Sequence, residues 1–498
     1  MSRKVSSTIT PYFVLKFGGS SVARPRGWKQ IARAARAHAG RGEHPVIVCS
    51  ALGGVTDHLE ALIAAAEAGD TPTAALQGIW QQHVSLAREL GLDADAVLGE
   101  RLAELTELAT AENHGPAWRA RIFAMGELMS TTLGAAYLRH RGIEARWVDA
   151  RQLLCAETDP AANEAQRYLS ARCDHSRDPD VAAHLERESA AVTITQGFIA
   201  RNDAGETVLL GRGGSDTSAA YLAARLGARR LEIWTDVPGL FTIDPRRTDR
   251  SRLIPRVTYD EAAVLGALGA KVLHPRCLEP VREHGIPLAI RWTSRPELEG
   301  TVIGDGDDNR PGIKAVTSRS KLCLVSMERD REWQPVGFMA EVATCFHQHG
   351  LSMDLISSSP SEIRATIDLG ANPGAEALLP GLLKDLKSFC RPTLHQDLTC
   401  VSVAGSEIGA ELPRIAAIMH LLGEPRIHLA SHAADDTHVS YVVDERLGQD
   451  LAVAIHEALF CATDSVPLGP TWDELHQAPP SSVHRIPGSA VKGRSISA

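Results

Sequence analysis

Lys16 ends a short apolar run and is followed, one residue later, by two glycines and two serines. Bare backbone amides after a strand can form a concavity that binds an anion, and lysine adds a full positive charge. The order differs from the Gly-x4-Gly-Lys-Ser/Thr phosphate loop, in which the lysine follows the glycines. This turn therefore predicts an anion site such as one for phosphate, and a tight turn with a surface lysine is the alternative.

A second stretch, residues 209–220, brings an arginine, an acid and a helix start together. Arg212 lies among glycines, and its forked guanidinium can bind a carboxylate through two hydrogen bonds. Ser215 and Asp216 then open a helical pattern, whose N-terminal amides favour an anion, while Asp216 can accept an ammonium. This pattern suits an α-amino acid, although a glycine-rich turn before a capped helix also explains it.

Two further stretches carry weaker signals. Besides a Pro-Gly turn, the first contains Thr235, Asp236, Phe241 and Arg246. An aromatic ring could flank a base and an arginine could meet phosphates, but a purely structural loop explains this stretch equally well. In the second, Lys271 interrupts an apolar helical pattern, where an unpaired buried amine would be costly. Its amine therefore either reaches solvent or faces an anion.

Together these residues suit the transfer of a phosphoryl group to an anionic acceptor, because both partners need cations and backbone amides. A carboxylate acceptor has a reference pKa of roughly 4 and needs no general base at neutral pH. Catalysis would then consist of positioning and charge stabilisation. No Ser-His-Asp or Cys-His constellation is evident, and the 20 histidines show no metal-ligand spacing.

The elements that must position these residues follow an alternating order. Short apolar segments without polar alternation are typical of strands buried on both faces. They are residues 12–17, 46–49, 145–148, 191–195, 231–234 and 287–290. Helical patterns such as 28–39 and 215–226 lie between them, which predicts a mostly parallel sheet covered by helices, with ligands beyond the C-terminal strand ends. Residues 57–129 are helical almost throughout and predict an all-helical insertion near the mouth of the sheet.

The rhythm changes after a run rich in Gly, Asp and Pro near residues 304–311, which marks a linker. Two consecutive strand–helix–strand–strand–helix patterns follow and predict two small ferredoxin-like modules. The end of the chain is rich in Pro and Ser. We predict a catalytic domain over 1–303, a linker over 304–317, modules over 318–392 and 393–465, and a disordered tail or linker over 466–498.

The composition is that of an ordinary globular protein of 498 residues, with 44% hydrophobic and 23% charged residues. The formal charge of −9 argues against a nucleic-acid binder that relies on general attraction to phosphate. Nine cysteines without a Cys-x-x-Cys pair indicate reduced thiols. Neither a signal-peptide core nor the ~18 apolar residues of a membrane span is present. We therefore expect a cytoplasmic protein.

Five motifs, in this order, resemble those of aspartate kinases over roughly residues 12–465. They are Lys-Phe-Gly-Gly-Ser-Ser-Val (16–22), Gly-Arg-Gly-Gly-Ser-Asp (211–216), Thr-Asp-Val-Pro-Gly (235–239), Asp-Pro-Arg (244–246) and Gly-Ala-Lys-Val-Leu-His-Pro (269–275). The resemblance implies an α/β amino-acid-kinase fold, with a mostly parallel central sheet and a helical insertion, followed by two ferredoxin-like ACT domains. It implies transfer of the ATP γ-phosphate to the side-chain carboxylate of L-aspartate, giving 4-phospho-L-aspartate for lysine, threonine and methionine synthesis.

The resemblance also implies roles by position. The catalytic residues would be Lys16, Arg212 and Asp216. ATP would bind Lys16, Phe17, Gly18, Gly19, Ser20, Thr235, Asp236, Phe241, Arg246, Lys271 and Val272. Aspartate would bind Ser50, Thr56, Glu127, Phe198, Arg212, Gly214, Ser215 and Asp216. Arg212 would clamp the α-carboxylate, while Glu127 and Asp216 face the ammonium. Mg2+ would be held mainly by ATP phosphates and water, so no protein metal ligand is assigned. Family members often have tyrosine in place of Phe241, so a hydroxyl contact is lost.

The two C-terminal modules resemble ACT domains, which bind amino-acid effectors and imply a homodimer or higher homo-oligomer. The long helical insertion resembles the lysine-sensitive and bifunctional branch, so lysine is the first candidate effector. The implied effector residues are Met327, Gly337, Phe338, Met353, Asp354, Ser358 and Ser359. Pro360 stands where lysine-sensitive relatives commonly have glutamate. Some relatives continue into a homoserine dehydrogenase or diaminopimelate decarboxylase domain, to which the tail could lead.

Two rival functions differ in their tests. Another amino-acid kinase, such as glutamate 5-kinase or acetylglutamate kinase, would share the fold, but the ACT pair and the Arg212 segment argue against both. A regulatory amino-acid-binding protein with an inactive kinase domain belongs to a different class. The intact set Lys16, Glu127, Arg212, Asp216 and Lys271 argues against it. ATP turnover with and without L-aspartate separates these functions.

Overall fold

The computed structural model describes residues 11–111, 114–187, 190–270, 273–306, 311–329, 336–370, 372, 374–421, 426–460 and 468–477. The strands are β1 (Tyr12–Phe17), β2 (His44–Cys49), β3 (Ala145–Trp147), β4 (Val192–Gln196), β5 (Ile199–Arg201), β6 (Thr207–Leu209), β7 (Arg230–Thr235), β8 (Arg256–Val257), β9 (Leu288–Trp292), β10 (Thr301–Ile303), β11 (Gly312–Glu328), β12 (Ile356–Ser358), β13 (Glu362–Asp368), β14 (Arg391–Ser406), β15 (Leu429–His432) and β16 (His438–Asp444). The α-helices are α1 (Gly19–Val22), α2 (Pro25–Ala39), α3 (Val55–Glu67), α4 (Thr73–Glu89), α5 (Ala94–Ala109), α6 (Pro116–His140), α7 (Glu164–Leu169), α8 (Pro179–Glu186), α9 (Gly214–Leu226), α10 (Tyr259–Ala267), α11 (Leu278–Glu283), α12 (Phe338–Gln348), α13 (Ala375–Leu386), α14 (Ile408–Leu421), α15 (Glu445–Phe460) and α16 (Trp472–Gln477). Short 3-10 helices are Ala150–Gln152 and Pro275–Cys277.

The N-terminal part of the chain is organised by a sheet with the strand order β3-β4-β2-β1-β7-β9-β10-β8. The strands from β3 to β9 in this order are all parallel. Their C-terminal ends therefore lie along one edge, where ligands are expected in such sheets. All six predicted strands are present, with ends within two residues of the predicted ones. The prediction of a mostly parallel sheet is confirmed.

Alternation along β1 decides which side of the sheet each residue faces. Leu15 and Phe17 pack in the core shared with α2 and α6, whereas Tyr12 and Val14 pack in the core shared with α9. By the same period, Lys16 lies on the α9 side. The apolar residues of β1 are buried because helices cover both faces of the sheet.

The predicted helical insertion consists of α3 to α6. Its predicted end at residue 129 is wrong, because α6 continues to His140. The residues after 129 keep the helical pattern without a proline, and most of them are buried. Within the described ranges, no helix is long and apolar enough to cross a lipid bilayer.

The C-terminal part forms a second sheet with the order β12-β13-β11-β14-β16-β15. Two long strands, β11 and β14, pair antiparallel along their lengths and pass through both modules. The first half of β11 pairs with the end of β14 in the second module, although it precedes the first module in the chain. The second half pairs with β13 in the first module. A register irregularity between Arg319 and Leu322 separates the halves.

This pairing differs from the predicted boundaries. The predicted linker 304–317 is strand from Gly312 onwards, and the predicted boundary between 392 and 393 falls inside β14. The local rhythm suggested two consecutive modules, whereas the strand pairing places the first module between two strands of the second. Pairing across roughly ninety residues leaves no mark in a local pattern, which explains the difference.

Part of the predicted disordered tail is folded. Residues 468–477 lie against the catalytic domain, and Leu475 is fully buried with Leu253, Trp292 and Leu298. The prediction of disorder is wrong for this part of 466–498. It rested on average composition, whereas a few apolar residues are enough to anchor a short segment.

Candidate active site

Lys16 lies at the C-terminal end of β1, at the edge where the parallel strands end. Its Nζ atom is 2.5 Å from Oδ1 of Asp216 in the first turn of α9, and the two side chains are 12% and 14% exposed. Lysine and aspartate come from segments two hundred residues apart. The partly buried pair rules out a simple surface lysine and places a cation at the strand ends.

The glycine turn after β1 is held against the loop that follows β2. The backbone N–H of Ser50 donates to the carbonyl of Phe17 at 3.2 Å, and that of Gly53 donates to the carbonyl of Gly19 at 3.1 Å. Ser20 is exposed in the short helix α1. The first two strand ends therefore form one joined rim beside Lys16.

Glu127 lies on α6, behind this rim, and its side chain is 6% exposed. Burial raises the pKa of Glu127 to about 8, an effect that the backbone amide of Ala51 partly offsets. A Cβ atom added to Gly126 would lie 2.8 Å from the Cβ of Ala51, so glycine allows α6 to approach the loop. No cation of the described residues forms an ion pair with Glu127. A cationic ligand beside this carboxyl group would favour its ionised form.

Phe198 follows β4 in a backbone conformation with φ of 70°, which is uncommon for an aromatic residue and costs free energy. Its N–H donates to Oγ of Ser218 on α9 at 3.1 Å. A Cβ atom added to Gly214 would lie 2.6 Å from the Phe198 ring. The structure therefore brings Phe198, Gly214 and the neighbouring Ser215 together at the start of α9, as strain at a functional site would suggest.

Arg212 precedes α9 between two glycines and is exposed. Among the residues that the structure describes, no carboxylate pairs with its guanidinium. Thr56 is exposed in the first turn of α3. Arg212 is thus a free cationic fork two residues before the helix that carries Asp216.

The residues predicted to bind a nucleotide lie on two parts of the chain. Thr235 ends β7, the neighbour of β1, and its hydroxyl contacts Asp236 at 3.1 Å. Phe241 and Arg246 lie farther along the loop between β7 and β8. Arg246 pairs with Asp244 and is 76% exposed. Lys271 and Val272 are outside the described residues.

Two pairings were missed in the sequence, namely Lys16 with Asp216 and Arg246 with Asp244. The first has no sequence signal, because only the fold brings the two segments together. The second could have been read from the i, i+2 spacing in Asp-Pro-Arg, since an aspartate before a turn commonly bonds two residues onward.

The sequence profile of the amino acid kinase family matches residues 11–291, more than half of the chain. The chain belongs to the amino acid kinase family. Lysine-sensitive aspartokinase 3 of Escherichia coli (strain K12) is 31% identical to it over 456 residues, which cover 90% of this chain and 99% of that protein.

Solved structures agree with this similarity. Aspartokinase III of E. coli in complex with aspartate and ADP, described as the R-state, superposes with a TM-score of 0.75 at 30% identity, covering 90% of this chain and all of that one. The T-state of that enzyme, with lysine and aspartate, gives a TM-score of 0.74 at 30% identity, with 90% of this chain and 99% of that chain covered. The resemblance to aspartate kinases and the predicted fold class are confirmed.

The effector residues predicted for this amino acid kinase lie in different surroundings. Met327 and Phe338 are buried in the core of the first module. Met353 is partly buried against that core, Gly337 precedes α12, and Ser358 and Ser359 are exposed at or beside β12. A polar effector could therefore meet the serines directly, whereas it could reach Met327 and Phe338 only if the core opened.

Asp354 is not free in this structure. Its carboxylate accepts a hydrogen bond from the guanidinium of Arg319, which also lies 3.1 Å from Oδ2 of Asp368. Both carboxylates therefore already have a cation, supplied by β11. This pairing has no local signal in the sequence, because Arg319 lies 35 residues before Asp354.

Proposed function

We propose that the protein is an aspartate kinase, which transfers the γ-phosphate of ATP to the side-chain carboxylate of L-aspartate and forms 4-phospho-L-aspartate. The observation that carries this proposal is the charge pattern at the strand edge. Besides the Lys16–Asp216 pair, this part of the fold holds Glu127, a buried carboxyl group next to the loop after β2, and the unpaired Arg212 just before α9. Such a set matches the two charges of an amino acid beside a phosphoryl group.

The reaction requires mainly that the protein position the two substrates and stabilise the charge on the transferring group. An oxygen of the substrate carboxylate attacks the γ-phosphorus, and the bond between that phosphorus and the β,γ-bridging oxygen breaks, so that ADP leaves. The acceptor is already ionised, so no proton has to be removed. Lys16 neutralises the charge that spreads over the transferring group, and ATP enters as its magnesium complex, with the metal held mainly by phosphates and water.

The substrate is held by its own two charges. Arg212 clamps the α-carboxylate with its fork, and the buried Glu127 receives the α-ammonium. Phe198 and Ser215 line the same site at the start of α9. Similarity to E. coli aspartokinase III, whose complex contains aspartate and ADP, supports aspartate and ATP as the substrates.

The full chain incubated with ATP, magnesium and L-aspartate should form an acyl phosphate that hydroxylamine traps as a hydroxamate. Parallel reactions with L-glutamate, N-acetylglutamate or no acceptor should form little. A strong signal with glutamate or N-acetylglutamate instead of aspartate would favour another amino-acid kinase. Nucleotide binding without any hydroxamate would favour an inactive kinase domain.

The pH dependence of aspartate binding provides a first prediction. Because burial raises the pKa of Glu127 to about 8, the empty site holds a neutral carboxyl group at lower pH. The ammonium of aspartate needs the ionised form, so kcat/KM for aspartate should rise with pH up to about 8, by roughly tenfold per unit well below the pKa. The Glu127→Gln variant should have a lower kcat/KM for aspartate at every pH and should not show this rise.

A stability measurement checks the same group without catalysis. Between the ordinary pKa of 4.5 and about 8, the folded protein holds one more proton on Glu127 than the unfolded chain. The free energy of unfolding should therefore fall as pH rises through that window, and Glu127→Gln should remove this contribution.

The kinetic prediction has its own contradicting outcome. If kcat/KM of the wild type for aspartate does not change with pH below 8, Glu127 does not receive the ammonium.

The C-terminal sheet supports a regulatory role. We propose that an amino acid of the aspartate pathway, with lysine as first candidate, binds the first module and inhibits the kinase. E. coli aspartokinase III has been solved with lysine, which supports this choice. Because Arg319 already pairs with Asp354 and Asp368, the ammonium of an effector must compete with its guanidinium. Binding should then be weaker than it would be at a free carboxylate.

Removing the guanidinium of Arg319 should therefore make the enzyme more sensitive to inhibition by lysine. Arg319→Gln should lower the lysine concentration for half-inhibition several-fold, and Asp354→Asn should raise it, within the roughly 5- to 150-fold range of such couplings. Arg391→Gln, an exposed arginine in the same sheet, is the matched control. Insensitivity to lysine, threonine and methionine, singly and in pairs, would contradict regulation, and inhibition by threonine alone would contradict only the ligand.

Assembly and location are also proposals. We propose a homodimer or higher homo-oligomer through the ACT modules, because β12 is an exposed edge strand that carries the exposed Ile356. Light scattering of the full chain tests the oligomer. We propose a cytoplasmic location, because the cysteines of the described residues are all free thiols.

A further inference from the structure

Residues 468–477 extend the loop that carries Phe241 by one short strand-like pairing. The N–H of Gly469 donates to the carbonyl of Leu253 at 2.7 Å, and the N–H of Leu253 donates to the carbonyl of Pro470 at 3.0 Å. The N–H of Trp472 donates to the carbonyl of Ser251 at 2.9 Å. Phe241 itself bridges to Leu253 from the other side of this strand. The backbone around Leu253 therefore lies between this segment and the backbone of Phe241.

Side chains fix the segment at both ends. The guanidinium of Arg252 donates to the carbonyls of Gly469 at 3.1 Å and Leu468 at 3.4 Å. Arg295 donates to the carbonyl of Leu475, the fully buried residue of α16. The segment itself lies beyond roughly residues 12–465, over which the sequence resembles aspartate kinases. The segment is therefore docked by specific contacts rather than by general adhesion.

Trp472 connects the segment to the candidate nucleotide residues. Its ring meets Phe241 edge to face, with centroids 5.4 Å apart and planes at 72°. It also stacks on Trp292 at 6.3 Å and 29°. Trp292 ends β9 and is the register partner of Thr235, the last residue of β7. Trp472 thus contacts both Phe241 and Trp292, which is the strand partner of Thr235.

Phe241 depends on such packing because its ring has no polar atom that could be fixed by a hydrogen bond. The loop around it is held on its opposite side by the regulatory part of the chain. Oγ1 of Thr242 lies 2.8 Å from Nε2 of His456 on α15, and Val316 on β11 donates to the carbonyl of Thr242 at 2.8 Å. On the side of the ring, Phe241 packs against the cluster of Leu253, Trp292, Leu298 and Leu475, and Trp472 is the aromatic residue that meets it edge to face.

We propose that residues 468–477 are a working part of the nucleotide site, in which Trp472 is a positioning residue that holds the Phe241 ring against the base of ATP. This inference rests on the proposed function, because it takes Phe241 to be a nucleotide contact. Glu127 and Arg212, which are proposed to bind aspartate, lie on α6 and just before α9, and the rings that Trp472 contacts are those of Phe241, Trp292 and His476. Loss of Trp472 therefore weakens ATP binding and leaves aspartate binding unchanged.

The test compares the full chain with Trp472→Ala, Trp472→Phe and Asp473→Ala, an exposed neighbour on α16 that serves as control. Trp472→Ala should raise the KM for ATP about three- to tenfold, the range expected for loss of an aromatic pair. The KM for aspartate should stay within about twofold, since only the ATP contact depends on this pair. Trp472→Phe should restore most of the ATP affinity, and a chain ending at residue 467 should behave like Trp472→Ala.

Two further measurements keep the inference separate from the proposed function. ADP binding by titration calorimetry needs no aspartate, so a weaker ADP affinity in Trp472→Ala supports the inference even if the chain phosphorylates another acceptor. Thermal unfolding identifies a general loss of structure. An unchanged KM for ATP and unchanged ADP affinity would overturn the inference, as would a parallel rise of both KM values together with a lower unfolding temperature.

Discussion

Replacing Lys16 with alanine is expected to lower kcat at least about a hundredfold, because its ammonium neutralises charge that develops during phosphoryl transfer. The lysine lies at the end of the central strand, with its Nζ 2.5 Å from Asp216. It is not a core residue, so the circular dichroism spectrum should match that of the wild type. Lys29→Ala, an exposed lysine on α2, is the matched control and should keep normal activity.

The pair with Asp216 allows a sharper version of this experiment. If Lys16 served only to neutralise Asp216, the double variant Lys16→Ala/Asp216→Asn would be as active as Asp216→Asn alone, because the charge that Lys16 offsets is gone in both. If Lys16 acts on the transferring group, the double variant should be far less active than Asp216→Asn. Equal activity of these two variants, or near-normal kcat in Lys16→Ala, would make the glycine turn a structural feature.

The six parallel strands of the catalytic sheet could be predicted because most of them are short apolar runs with helices on both faces, whereas the short strands β8 and β10 were not predicted. The period of two along β1 even places Lys16 on the side of α9. The residue types of the site could also be predicted, since glycines, cations and acids cluster after strand ends. These features are local, and a local pattern is what a single sequence displays.

The pairings inside the site could not be predicted in the same way. Lys16 meets Asp216 only because α9 packs over β1. The raised pKa of Glu127 depends on how closely α6 approaches Ala51, which the sequence shows only as a glycine. Arg319 beside Asp354 likewise depends on the pairing of β11 with its neighbours in the sheet.

Topology and the tail were missed for a related reason. Two similar local patterns suggested consecutive modules, although the long strand β11 pairs with strands of both modules along its length. Met327 and Phe338 were assigned to an effector site by position, yet both are core residues. Trp472 lies in a stretch whose composition favours disorder. Its contacts with Phe241 and Trp292 depend on the fold and cannot be read from the local sequence.

Arg212→Ala is expected to raise the KM for aspartate by roughly 30- to 1,000-fold, the equivalent of about 2–4 kcal/mol for a lost charge-assisted pair. The KM for ATP should change little. The physical reason is that Arg212 is exposed and lacks an acidic partner among the described residues, so its fork is available for a ligand. Its place just before α9 aligns it with helix amides that favour the same carboxylate.

Two variants show whether the geometry of the fork matters. Arg212→Lys keeps the charge but loses the two parallel hydrogen bonds, so its KM for aspartate should lie between those of the wild type and Arg212→Ala. Arg246→Ala removes an arginine that pairs with Asp244 on the nucleotide loop, and it should affect ATP rather than aspartate. If the KM for aspartate is unchanged in Arg212→Ala, the α-carboxylate binds elsewhere and Arg212 does not belong to the pocket.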